Sequence, residues 1–132
     1  MIVAIATTSS QRFRRSRHDH RSHRLDEEAA IDGGGGALVT ILEAGRATLE
    51  IATPAQTRLI DEVEVGRQVA PRIRIAFEVD DTAARTAELV DAGAELVAAP
   101  TVTPWRSLNS RLNAPAGLQI TLFQELGDER AR

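Results

Sequence analysis

From Leu25 onward, apolar and polar side chains alternate in short runs broken by glycine, proline and acidic residues. The alternation is clearest at 72–79, where Ile73, Ile75, Phe77 and Val79 interleave with Arg72, Arg74, Ala76 and Glu78. A period of two puts the two sets on opposite faces, so this is a half-buried strand with one polar face. The same pattern predicts strands at 2–6, 25–31, 37–42, 47–52, 95–98, 108–112 and 118–125. The runs 37–42 and 47–52 are joined by Glu43-Ala44-Gly45-Arg46, a hairpin connection. Gly33 to Gly36 predict a turn or mobile loop, and lack the lysine and helix start of a phosphate loop.

One helix is predicted over Thr82 to Ala92. Asp80 or Asp81 can accept from the free amides at its start, Ala83, Ala87 and Val90 would face the core, and Gly93 stops it. Thr53 to Val69 shows no strong period and reads as a connection, with its acidic run Asp61-Glu62-Val63-Glu64 facing water. The polar tail from Gly127 reads as frayed.

The order is strand, helix and three strands, and then the same again. This is an internal repeat of roughly 70 residues, with one unit at about 1–55 and the other at about 70–126 of a single module spanning 1–132. Alone, each unit would leave an apolar sheet edge open. Pairing two βαβββ units gives an α+β fold with a curved mixed sheet around a central cup.

Composition narrows the function classes. A chain of 132 residues can bury one real core. It has no cysteine, which removes disulfides and thiolate chemistry and favours a cytoplasmic home. It has no tyrosine, one fewer acid–base group. No apolar run approaches the roughly 20 residues of a membrane span, and a net charge of -3 gives no global attraction to nucleic acid. Residues 9–24 stand apart. Six arginines and His18, His20 and His23 fall between Gln11 and Arg24, with Phe13 the one large apolar residue. Without an apolar stripe this stretch cannot dock as a helix. The positive field of its arginines opposes a zinc or nickel ion on the histidines, and the acidic remainder offers no second basic face for nucleic acid. A solvated segment and a disturbed reading frame ending near Leu25 both fit its composition.

Three stretches carry a family likeness: Gly45-Arg46-Ala47-Thr48-Leu49-Glu50-Ile51, Ile73 through Asp81, and Ala114-Pro115-Ala116-Gly117-Leu118 through Phe123. With Ala92-Gly93-Ala94-Glu95 and Thr103-Pro104-Trp105, they make roughly residues 24–126 resemble the glyoxalase/bleomycin-resistance/dioxygenase (vicinal-oxygen-chelate) superfamily. The resemblance implies paired βαβββ units, a homodimer, and a ligand site on the concave sheet face. It also implies that metal-using members draw four ligands from four strands. Carried over by position, Glu50 is the only match. Arg74 and Thr121 stand where metal users place histidine and glutamate, and the first strand offers Val3, Ala4, Ile5 and Thr7. One carboxylate beside an arginine disfavours a divalent metal without removing it as an alternative, and no other cofactor is expected.

The polar face of the cup would carry Thr48, Glu50, Arg74, Glu78, Asn109, Arg111 and Thr121, with Trp105 on the loop before the seventh strand. These residues would either face water or line a pocket. Trp105 would either anchor a packing contact or stack on a flat ligand. Arg74 and Arg111 would suit an anionic ligand. The leading expectation is a metal-independent small-molecule binder of the drug- or metabolite-sequestering kind, taking an anionic or aromatic ligand. The alternative implied by the resemblance is a glyoxalase I-like or related metal-assisted lyase, isomerase or dioxygenase, which as a lyase or isomerase would use Glu50 as general base. A third is a structural module whose main output is dimerisation.

Overall fold

The computed structural model describes residues 2–6, 26–45 and 47–127. The 9–24 segment with its histidines, the helix expected in the first unit, and the tail after Gly127 lie outside them.

Eight strands and two α-helices follow one another as β1 (Ile2–Ala6), β2 (Glu27–Asp32), β3 (Leu38–Glu43), β4 (Ala47–Ala52), α1 (Pro54–Glu64), β5 (Ile73–Glu78), α2 (Thr82–Asp91), β6 (Glu95–Val102), β7 (Ser107–Asn113) and β8 (Gln119–Glu125). The strands form one sheet in the order β2-β3-β4-β1-β5-β8-β7-β6. Read outward from the centre, β1-β4-β3-β2 on one side matches β5-β8-β7-β6 on the other. The repeat seen in the sequence is therefore a repeat of topology. The units join where β1 runs parallel to β5, from Ile2 opposite Ile73 to Ala6 opposite Phe77.

The turns follow local chemistry. Between β2 and β3, Gly34, Gly35 and Gly36 all take positive φ, at 80°, 59° and 81°. A side chain is strained there, so the glycine run makes a tight connection. It is closed by Gly33 N–H to Ala37 O at 2.8 Å. Asp81, rather than Asp80, caps α2 by accepting from Ala84 N–H at 2.9 Å. Gly93 ends that helix with φ 102° and donates to Val90 O.

Three expectations are corrected. Residues 54–64 form α1, not an irregular connection. Thr53 is its N-cap and Pro54 opens its first turn, and with Gln56 three residues on this is a capping-box pattern. The helix shows no apolar stripe because the face it buries includes Asp61 and Glu64. α2 turns a different face inward. Thr82 and Thr86 are buried and Leu89 half-buried, whereas Ala83, Ala87 and Val90 are exposed. The threonines reach the sheet through hydrogen bonds, Thr82 Oγ1 to Leu108 O at 3.0 Å and Thr86 Oγ1 with Ser110 Oγ at 2.7 Å. In β5 the exposed side is largely the apolar one. Ile73 is 58% and Phe77 36% exposed, while Arg74 and Ala76 are buried. The cause is cover: α2 packs on β6, β7 and β8 over a core of Leu112, Ile120 and Leu122, and α1 lies across the opposite face of the sheet.

Candidate functional site

α1 bridges the two units, touching β3 and β4 on one side and β6 and β7 on the other. Its last two turns deliver Asp61 and Glu64 to the concave face of the sheet. Strand alternation delivers Arg74 from β5, Asn109 and Arg111 from β7, and Gln119 and Thr121 from β8 to that face. The result is a buried ionic cluster. Arg111, fully buried, donates through Nη1 to Asp61 Oδ1 and Gln119 Oε1, each at 3.0 Å, and through Nη2 to Glu64 Oε2. Glu64 Oε1 accepts from Asn109 Nδ2 at 2.8 Å, and Asn109 Oδ1 accepts from Ser107 Oγ at 2.6 Å. Asp61 Oδ2 accepts the amides of Val69 and Ala70 at 2.7 and 2.8 Å, folding the next loop back onto the helix. Both carboxylates are thus held at both oxygens, as burial of a charge requires.

The run read as water-facing is therefore split. Asp61 and Glu64 are buried ion-pair partners, whereas Glu62 is exposed. The signal for this was the capping box at Thr53, which starts a helix and puts Ile60, Asp61 and Glu64 on one side of it.

Beside the cluster lies a cavity of about 420 Å³. Its apolar wall comes from Ile31, Val39, Ile41, Ile60, Ala76, Trp105 and Phe123. Its polar lining comes from Glu50, Gln56, Glu64, Arg74, Ser107, Asn109, Thr121 and Glu125. Of the residues singled out in the sequence, Glu50, Arg74, Asn109, Thr121 and Trp105 meet here. Arg111 does not line the cavity, because it is enclosed beneath α1 by its carboxylate partners. Glu78 and Thr48 are not among the lining residues either. Trp105 sits at the rim with 45% of its surface open, in the turn where Thr103 N–H bonds Ser107 O. Glu64, Ser107 and Glu125 were not anticipated as lining residues.

Arg74 is the unusual member. It is 4% exposed and its Nη1 forms an ion pair with Glu64 Oε2 at 3.6 Å, too far for a hydrogen bond, and neither Nε nor Nη1 has a hydrogen-bond partner among the described residues. Thr121 Oγ1 is likewise buried without a partner. Burial, and then the neighbouring Arg111, push Arg74 down to about 10, against the pull of Glu64, Asp61 and Glu50. Burial also raises the Glu50 carboxyl. Arg74 opposes that rise and Glu64 adds to it. At the far end, burial and then Glu78 raise Glu125.

A second hollow, of about 490 Å³, lies between the α1–β5 loop and the start of β6. Its Asn113 and Gln119 are already bonded, to Glu95 and to Val69 O.

A family model described as a glyoxalase-like domain matches residues 15–123. Among solved structures, a glyoxalase family protein from Bacillus cereus is 20% identical, with 78% of this chain and 79% of that one covered at a TM-score of 0.42. A glyoxalase/bleomycin resistance protein/dioxygenase from Nocardioides is 21% identical, with 76% and 70% covered at a TM-score of 0.38. No curated protein matches. No helix among the described residues is long and apolar enough to cross a membrane.

Proposed function

Because the chain belongs to the glyoxalase-like domain family, we propose that its concave face binds a small organic molecule without a divalent metal, as a sequestering protein would. One observation carries this reading: the side chain standing at the β5 ligand position is a buried guanidinium, Arg74, with unpartnered N–H groups. Metal sites of this superfamily need several oxygen or imidazole donors converging on one point. The corresponding residues here are Glu50, Arg74 and Thr121, with Val3, Ala4 and Ile5 on β1. A single carboxylate beside a fixed cation does not fit a divalent ion, since the arginine repels it and the donor count is too low. Among the described residues no group of three histidine, aspartate or glutamate side chains is placed to hold a metal.

The test is elemental analysis of the purified protein, with thermal denaturation after addition of nickel, zinc, manganese and iron(II). Substoichiometric metal and an unmoved midpoint are expected. Stoichiometric metal, or stabilisation by several degrees with one ion, overturns the reading.

Glu50 favours a second reading, a lyase or isomerase in which this carboxylate removes a proton next to a carbonyl. Its raised pKa in a desolvated cavity suits a general base. Turnover that survives Glu50→Gln overturns that role. The proposal also includes a cytoplasmic location and a homodimer, the second of which sedimentation of the purified protein would read.

A further inference from the structure

We propose that the polar end of the cavity is a subsite for a singly charged carboxylate, with Arg74 and Thr121 as its donors. It rests on the small-molecule reading above and names the ligand class that reading leaves open.

The first ground is the set of donors without partners. A buried N–H or O–H group left unbonded is costly, so such groups are rare away from places where something else bonds them. Arg74 Nε and Nη1 and Thr121 Oγ1 are three such groups, and both residues line the same cavity. They are neighbours by construction. Ala76 of β5 pairs with Thr121 of β8, and Arg74 shares a face with Ala76 one alternation earlier.

The second ground is the hydrogen-bond count. Arg111 spends Nη1 and Nη2 on Asp61, Gln119 and Glu64, with its Nε unbonded away from the cavity, and the remaining oxygens of those carboxylates are taken by Asn109 and by the Val69 and Ala70 amides. Arg74 pairs with Glu64 at 3.6 Å, so the two arginines balance Asp61 and Glu64 in charge, while the hydrogen-bonding capacity of Arg74 Nε and Nη1 stays unused. A planar carboxylate matches a guanidinium in shape and charge. A doubly charged phosphate or phosphonate would bring a second negative charge up to Glu64 and Glu50, with no further cation among the described residues that line the cavity to meet it.

The third ground is what adjoins the charge. Ile41, Ile60 and Phe123 give the cavity an apolar wall, and Trp105 stands at its rim. A carboxylate on a flat or apolar body fits this division, in which a few polar groups orient a ligand held mainly by apolar contact.

The series phenylacetate, its planar isostere phenylacetamide, and the tetrahedral benzylphosphonate tests the proposal. Binding is followed by the fluorescence of Trp105, the only tryptophan, and by calorimetry, at a pH where benzylphosphonate is doubly charged. Phenylacetate should bind at least about tenfold more tightly than either analogue, the size of one hydrogen bond to a charged group. Arg74→Gln should abolish its advantage over phenylacetamide while leaving phenylacetamide binding in place. If Arg74→Gln does not fold by circular dichroism, Thr121→Val decides, since it should weaken phenylacetate by about 2–10-fold. Equal affinity for acid and amide, or a preference for the phosphonate, overturns the carboxylate subsite and leaves the small-molecule reading standing. Binding of none of the three overturns both.

Discussion

Replacing Arg111 by methionine should be the most damaging single change available on the concave face. Methionine keeps much of the aliphatic stem and removes the charge. Arg111 has no exposed surface and is bonded to two carboxylates that are themselves almost wholly buried, Asp61 at 1% and Glu64 at 6%. Its Nη1 sits 3.0 Å from Asp61 Oδ1 and its Nη2 bonds Glu64 Oε2. With it gone, Arg74 is the nearest remaining cation, and it does not reach hydrogen-bond distance of Glu64. Breaking a buried pair from one side costs about 3–5 kcal/mol, chiefly because a buried charge is left uncompensated. For a chain of this size that lowers the melting temperature by about 10–20 °C. Urea denaturation followed by circular dichroism would measure it. Adding Asp61→Asn and Glu64→Gln to Arg111→Met should then recover stability, since the amides keep acceptors for the Val69 and Ala70 N–H groups and for Asn109. A loss below about 1 kcal/mol for Arg111→Met, or no recovery in the triple variant, would refute the view that mutual charge neutralisation holds α1 on the sheet.

Thr53→Val should destabilise by about 1–2 kcal/mol, because Thr53 Oγ1 accepts from Leu38 N–H and Gln56 N–H and donates to Gly36 O, tying the glycine turn, β3 and α1 together; a change within error in the urea midpoint contradicts this. Glu50→Gln should make the protein more stable than wild type at neutral pH. Burial raises the Glu50 carboxyl above its unfolded value, so its contribution to stability is fully present below the unfolded value and is lost as pH rises through the folded one. Glutamine escapes that loss, so the advantage should vanish at low pH, and a variant less stable at neutral pH would mean that the attraction to Arg74 outweighs desolvation.

Much of the sheet was legible in the sequence because strand alternation is a local property. The run 47–52 coincides with β4, and the remaining strands lie within a few residues of their expected bounds. The pairing of two similar units followed from repetition. Face assignment was less legible. In β5 the alternation of isoleucine with arginine is plain, yet its sense is reversed, with Arg74 inside and Ile73 largely outside. In α2 the buried positions are threonines that hydrogen-bond to Leu108 O and Ser110. Both errors arise from reading polarity as exposure, which fails where polar groups find partners inside.

What the sequence determined by itself was the repeat of strands, the turns at the glycines, and the presence of Glu50, Arg74, Asn109 and Thr121 on one face of the sheet. What only the tertiary structure decided was which charges that face would keep for itself. Arg111 meets Asp61 and Glu64 across separations of 50 and 47 residues, and no local pattern encodes a pair at that range. A carboxylate on a helix reads as solvent-facing until an arginine from a distant strand supplies, in a space closed to water, the opposite charge that makes its burial tolerable.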